Sequence, residues 1–176
     1  MGLSELICAA IISIGMPNAN YACEHMDLVV SASQDNDIRP EVLVALIHVE
    51  SRWTPTAVSH ANACGLTQVI PKWTGGRASR NVRYDCEDLQ NPVISIIAGA
   101  TIFNHWLHRY GRCTAGNCYQ RHYTIGLCGY NAGYRCRGEN PNRSGMHYAR
   151  VVLKKARQIQ SAMRRIENAN RENRNQ

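Results

Sequence analysis

Pro40-Glu41-Val42-Leu43-Val44-Ala45-Leu46-Ile47-His48-Val49-Glu50-Ser51 is the stretch on which the reading of this chain turns. Leu43, Leu46, Ile47 and Glu50 share one face at the three- and four-residue spacings of an α-helix, so an apolar stripe ends in a carboxylate. A carboxyl group held among aliphatic side chains has its ionised form disfavoured and its pKa raised, as a general acid working near neutral pH requires. On this helix alone a second reading stays open, a buried glutamate satisfied by an arginine or by backbone donors. Pro55, which lacks an amide hydrogen and restricts the residue before it, is expected to end the helix.

The chain then passes Ser59 and reaches Gly65-Leu66-Thr67-Gln68. A glycine there lets backbone approach a ligand, and the Gln68 amide offers both a donor and an acceptor. Further on stand Asn91-Pro92-Val93-Ile94-Ser95 and Gly129-Tyr130-Asn131-Ala132-Gly133. Helical spacing recurs in residues 40–51, 92–110, 122–132 and 146–166, and strand-like alternation is scarce. The longest loop is expected from Thr74 to Asp88.

These segments, in this order, resemble the catalytic domain of the soluble lytic transglycosylases, a mainly α, lysozyme-like fold that cleaves the glycan strands of peptidoglycan. The family's Glu-Ser pair is similar to Glu50-Ser51, and its downstream serine falls on Ser59. Its Gly-Leu-Met-Gln and Ala-Tyr-Asn-Ala-Gly segments are similar to Gly65–Gln68 and Gly129–Gly133. The resemblance runs from about Arg39 to about Val152. Thr67, Ser95, Gly129 and Tyr134 stand where the family usually has methionine, asparagine, alanine and proline; the acid and amide side chains are kept, and the shape of the groove is what these departures touch. The resemblance implies Glu50 as the catalytic residue, Ser59 and Gln68 on the N-acetyl group or its neighbouring oxygens, Tyr130 bonded to Glu50, and Asn131 on the turn or the sugar. It implies no metal and no cofactor.

The scarcity of acidic residues fits that chemistry. Most glycosidases use two carboxylates about 5 to 9.5 Å apart, yet the 34 residues after Glu50 hold no Asp or Glu before Asp85. One carboxyl group suffices where the attacking hydroxyl belongs to the substrate. The resemblance then implies a 1,6-anhydro sugar as product. A goose-type lysozyme-like hydrolase and a noncatalytic glycan-binding assembly protein are the alternatives.

At 176 residues the chain can bury one core, and no repeat or low-complexity stretch divides it. Residues 1–22 carry an apolar run, Leu6 to Met16, too short to cross a bilayer. They are read as a signal peptide or hydrophobic leader, although no Lys or Arg precedes the run. Residues 23–155 are the expected lysozyme-like domain, and 156–176 a basic C-terminal helix and tail. From Arg150 onward eight basic residues face two acidic ones, so the formal charge of +7 describes that helix more than the groove. No specific nucleic acid is implied.

With Cys8 set aside in the leader, seven cysteines remain and no Cys-x-x-Cys pair occurs, which favours disulfides over zinc and an oxidising compartment. Cys113/Cys118 and Cys128/Cys136 are spaced to close small loops, Cys64 and Cys86 bracket the long loop, and Cys23 is left over. His105 and His108, three apart, have a chelating spacing without a nearby carboxylate to complete a site. Trp73, shortly after the glycine turn, is expected to be partly exposed near sugar. The expected location is periplasmic or extracellular, or a phage virion. The expected partners are peptidoglycan glycan strands and a secretion, conjugation or phage tail assembly.

Overall fold

In a computed structural model of the protein, which describes residues 1–109, 118–137 and 140–174, the quoted stretch is a helix buried on all sides. The elements are α1 (Leu3–Ser13), α2 (Ala19–Glu24), α3 (Met26–Asp35), α4 (Pro40–Ser51), α5 (Cys86–Gln90), α6 (Pro92–Arg109), α7 (Cys118–Ala132) and α8 (Arg143–Arg174). Among the described residues the only β pairing is two isolated bridges, Val58 with Cys64 and Cys64 with Val69. Pro40 sets the first turn of α4 with its fixed φ, and the Arg39 N–H donates to the Tyr123 hydroxyl 2.9 Å away, tying that end to α7. Val42 to Ile47 are all buried, so α4 carries apolar residues around its whole circumference rather than along one stripe.

The C-terminal end of α4 falls where the spacing of residues 40–51 predicts, but Pro55 is not what ends it. The helix stops at Ser51 because Arg52 and Trp53 both adopt the left-handed conformation, at φ of 51° and 64°. Each such residue with a Cβ costs about 1–2 kcal/mol. Burial of the Trp53 ring, 1% exposed, offsets that cost and pins the turn directly behind Glu50.

Residues 1–22 lie within the fold. Leu6, Ile7, Ala10 and Ile11 are buried, α1 packs against α8 as well as α2 and α3, and Cys8 is disulfide-bonded to Cys23. The Asn18 amide donates to the Arg52 carbonyl at 2.9 Å, so this segment also braces the turn after Glu50. A cleavable leader and a buried helix share one sequence signature, a short apolar run, and only the packing of α1 separates them. Cys23 is therefore not left over, and Cys8 is its partner.

The proposed division at residue 156 falls inside α8, a single helix whose Ala156, Ile159 and Ala162 are buried and whose Met163 and Ile166 pack against the core. Its last turns are exposed and basic. The long loop is shorter than expected, because a 3₁₀ turn at Arg77–Ser79 and α5 both fall inside it. Cys64–Cys86 staples this region over a small second core of Val69, Leu89 and Ala98. Cys128–Cys136 closes the end of α7, and the Cys113/Cys118 pair lies outside the described residues.

Two outcomes follow from this packing. Ile7→Ala should lower unfolding stability by about 2–5 kcal/mol, the usual cost of a large-to-small change at a fully buried site; an unchanged melting curve would mean that α1 is not part of the folded core. Cys8, Cys23, Cys64, Cys86, Cys128 and Cys136 should all resist alkylation until reductant is added, as read by peptide mass; ready modification of any of them in native protein would contradict the corresponding bridge.

Candidate active site

Glu50 sits in the last turn of α4, half-buried, two residues before the left-handed Arg52. Burial pushes its pKa up to about 7 from 4.5, while a hydrogen bond from Tyr148 pulls the other way. The Tyr148 hydroxyl, on α8, donates to Glu50 Oε1 at 2.5 Å across 98 residues of sequence. No second carboxylate is among the groups that shift Glu50. Burial, and then the Glu50 charge, hold the Tyr148 hydroxyl firmly protonated.

Tyr130 does not bond Glu50 as expected. Its hydroxyl donates to the Thr67 carbonyl at 2.7 Å, which supports the Gly65–Gln68 turn from beneath. It nevertheless lies close enough that burial and the Glu50 charge raise its pKa well above 10. The sequence pointed to a tyrosine on Glu50 and picked the wrong one. A signal for Tyr148 was present: it falls in register with Val152 and Ile159 on the buried face of α8, and a buried tyrosine hydroxyl needs a partner.

The glycine turn is built by packing rather than by approach of a ligand. Gly65 has φ of +75°, and a Cβ there would lie 1.7 Å from the Leu89 carbonyl oxygen. Thr67, fully buried, does not line a groove: its N–H donates to Ser95 Oγ at 3.2 Å and its hydroxyl to the Ser95 carbonyl at 2.8 Å. The two departures at Thr67 and Ser95 are thus one interaction. Gly99 completes it, since a Cβ there would stand 2.4 Å from the Thr67 methyl.

Gln68, half-buried at φ of 50°, donates through Nε2 to the carbonyls of Ala57 and Gly65, both at 3.0 Å. These bonds fix the amide plane and turn its carbonyl oxygen to the opposite side. Ser59 Oγ accepts from the Ala63 N–H at 3.1 Å and shapes its own turn, with its hydroxyl hydrogen still to donate. Asn131 is exposed at the end of α7. Trp73 is 70% exposed, with Lys72 Nζ 5.2 Å from the ring centroid. No group of three or more metal-ligating side chains occurs among the described residues.

The family model of the transglycosylase SLT domain matches residues 27–150. Among curated relatives, the chain is 34% identical over 82 residues to membrane-bound lytic murein transglycosylase C of Actinobacillus pleuropneumoniae, covering 44% of this chain and 22% of that protein. The Haemophilus influenzae protein of the same name is 31% identical over 90 residues, covering 46% and 24%. The chain therefore spans about a quarter of the length of these relatives. Among solved structures, the 70 kDa soluble lytic transglycosylase of Escherichia coli superposes with a TM-score of 0.64 at 19% identity, over 91% of this chain and 28% of that one. An inactive mutant of lytic transglycosylase Slt from Pseudomonas aeruginosa gives 0.61 at 18%, over 86% and 29%. These structures establish the lysozyme-like fold, and with the family model spanning well over half of its length, the chain belongs to the transglycosylase SLT domain family.

Proposed function

We propose that the protein is a peptidoglycan lytic transglycosylase that cuts the β-1,4 bond between N-acetylmuramic acid and N-acetylglucosamine and leaves a 1,6-anhydro end. The names of its relatives support the substrate class. The observation that carries the chemistry is Glu50: one buried carboxyl group with a pKa of about 7, bonded to a neutral phenol.

Tyr148 occupies Oε1, which leaves Oε2 to carry the transferable proton. That proton passes to the glycosidic oxygen as its bond to the muramyl anomeric carbon breaks. The resulting carboxylate, stabilised by the Tyr148 hydrogen bond, takes the proton of the muramyl 6-hydroxyl, whose oxygen closes on the same carbon. Glu50 ends protonated, so the cycle is balanced without water. The intramolecular attack has the advantage of proximity over a bimolecular one. In this reading the Gln68 carbonyl oxygen accepts from the N-acetyl N–H, the Ser59 hydroxyl and the Asn131 amide bond neighbouring oxygens, and Trp73 lies against a sugar face.

We place the activity in the periplasm or outside the cell, with a phage virion as the alternative, because the three disulfides among the described residues suit an oxidising compartment. No described helix is long and apolar enough to cross a membrane. Removal of residues 1–22 would extract α1 from the core, so the exported form is expected to keep them. Local opening of the wall for a secretion, conjugation or phage tail assembly is the role such an enzyme would serve.

Glu50→Gln should reduce release of fragments from purified sacculi by about a hundred- to ten-thousandfold. The wild-type products, weighed by mass spectrometry, should be lighter by one water than those of a hydrolase; full-weight products would reassign the enzyme as a lysozyme. The same variant should be more stable than wild type at pH 8, by on the order of 3 kcal/mol, and equal to it near pH 4. The reason is that a carboxyl group raised from 4.5 to about 7 destabilises the fold progressively between those values and fully above them. Tyr148→Phe removes the bond that lowers the Glu50 pKa. It should shift the alkaline limb of the rate profile upward while lowering the maximal rate; an unmoved limb would show that Tyr148 only packs.

A further inference from the structure

The C-terminal half of α6 and the Arg77–Ser79 turn enclose a cavity of about 280 Å³ lined by Arg77, Arg80, His105, His108 and Arg109. No carboxylate lines it, and among the described residues none of these arginines forms an ion pair with an acidic side chain. Like charges gathered in a concavity repel one another, which an anionic guest relieves. The walls are fixed. Arg80 donates to Asn36 Oδ1 at 3.3 Å, and the Asn104 amide on α6 donates to the Asn36 carbonyl at 2.7 Å. Burial, and then the Arg109 and Arg77 charges, lower the pKa of His105, so the positive field of both arginines reaches that lining residue.

The segment that follows Asn131 reaches the rim of this cavity through Tyr134, which lies against Arg109. Tyr130 stands against Thr67 and within reach of the Glu50 charge. Beyond the end of α7, in the 3₁₀ turn Gly133–Cys136, Tyr134 is 62% exposed and lies 5.2 Å, edge on, from Trp106. The Arg109 guanidinium lies 5.4 Å from the Tyr134 ring centroid. Trp106 and Tyr134 thus form an aromatic ledge beside the cationic cavity, and Tyr134 is one of the positions where this chain departs from its family.

We propose that this cavity binds the carboxylates of the peptide branches that hang from the glycan strand. The proposal rests on peptidoglycan as the substrate. A strand in the groove carries a branch on every second sugar, each branch bears several free carboxylates, and planar guanidinium groups match carboxylates with two parallel hydrogen bonds. The ledge supplies an apolar surface for the aliphatic part of the branch, and the arginines grip its charged end.

The test measures equilibrium binding with Glu50→Gln protein, which does not consume the polymer. Its ligands are soluble glycan strands with intact branches, strands with the branch carboxylates amidated, and strands stripped of branches by an amidase. Intact strands should bind about fivefold more tightly than either of the others, and about 0.5 M salt should erase the difference by screening. Adding Arg77→Gln and Arg109→Gln should bring the affinity for intact strands down to that for stripped ones. Equal affinity for intact and amidated strands would overturn the proposal, and so would a preference that survives in the arginine variant. Because binding is read without turnover, failure here is separate from failure of the catalytic reading, which would show as wild type releasing nothing from stripped or intact strands.

Discussion

The hydrogen bond from Tyr148 to Glu50 is the constraint around which the rest of the molecule is arranged. It joins the end of α4 to the second turn of α8 across 98 residues, and it has to form where water is largely excluded. Burial alone would leave a carboxyl group reluctant to ionise at any stage. A phenol that donates to one oxygen makes the ionised form accessible without making it dominant, which is what the proposed chemistry asks of a single group serving first as acid and then as base near neutral pH.

Holding that bond requires both helices to be fixed at their ends. α4 is surrounded by apolar contacts, and its C-terminal end is locked by two left-handed residues, by the buried Trp53 and by Asn18 from the N-terminal segment. α8 begins at a cap from Asn142, whose Oδ1 accepts from the Gly145 N–H at 2.9 Å. Gly145 lets the helix lie against the end of α7, since a Cβ there would come 2.7 Å from Cys128 Sγ in the Cys128–Cys136 bridge. Tyr148 follows one turn later. The glycine turn is a third fixed piece, held by Leu89, by Ser95 and by the Tyr130 hydroxyl, so the two tyrosines divide the work between the acid and the wall of its groove.

Local features of this arrangement were legible in the sequence. The bounds of α4 follow from Pro40 and the apolar spacing, and the raised pKa of Glu50 from its place in that stripe, whereas the spacing of the cysteines around loops leaves their pairing open until the fold brings Cys64 to Cys86 and Cys128 to Cys136. Features that depend on two distant segments were not. Which tyrosine meets Glu50 is decided by how α8 crosses α4. The need for glycine at position 65 comes from the Leu89 backbone, a neighbour that no local pattern reveals. Thr67 and Ser95 were read as separate departures, although they bond to each other. The apolar run in residues 1–22 carries no local mark to tell a leader from a core helix; its partners on α8, and Cys23, supply that information.

The most direct measurement is the titration of the Glu50 carboxyl itself, followed by its side-chain carbon resonance or its carbonyl infrared band in protein labelled at glutamate, with Glu50→Gln identifying the signal. A midpoint near 7, falling well below the alkaline range and moving upward in Tyr148→Phe, is the expected result. A midpoint near 4.5, unchanged in Tyr148→Phe, would contradict the buried, tyrosine-bonded acid and with it the single-carboxylate mechanism.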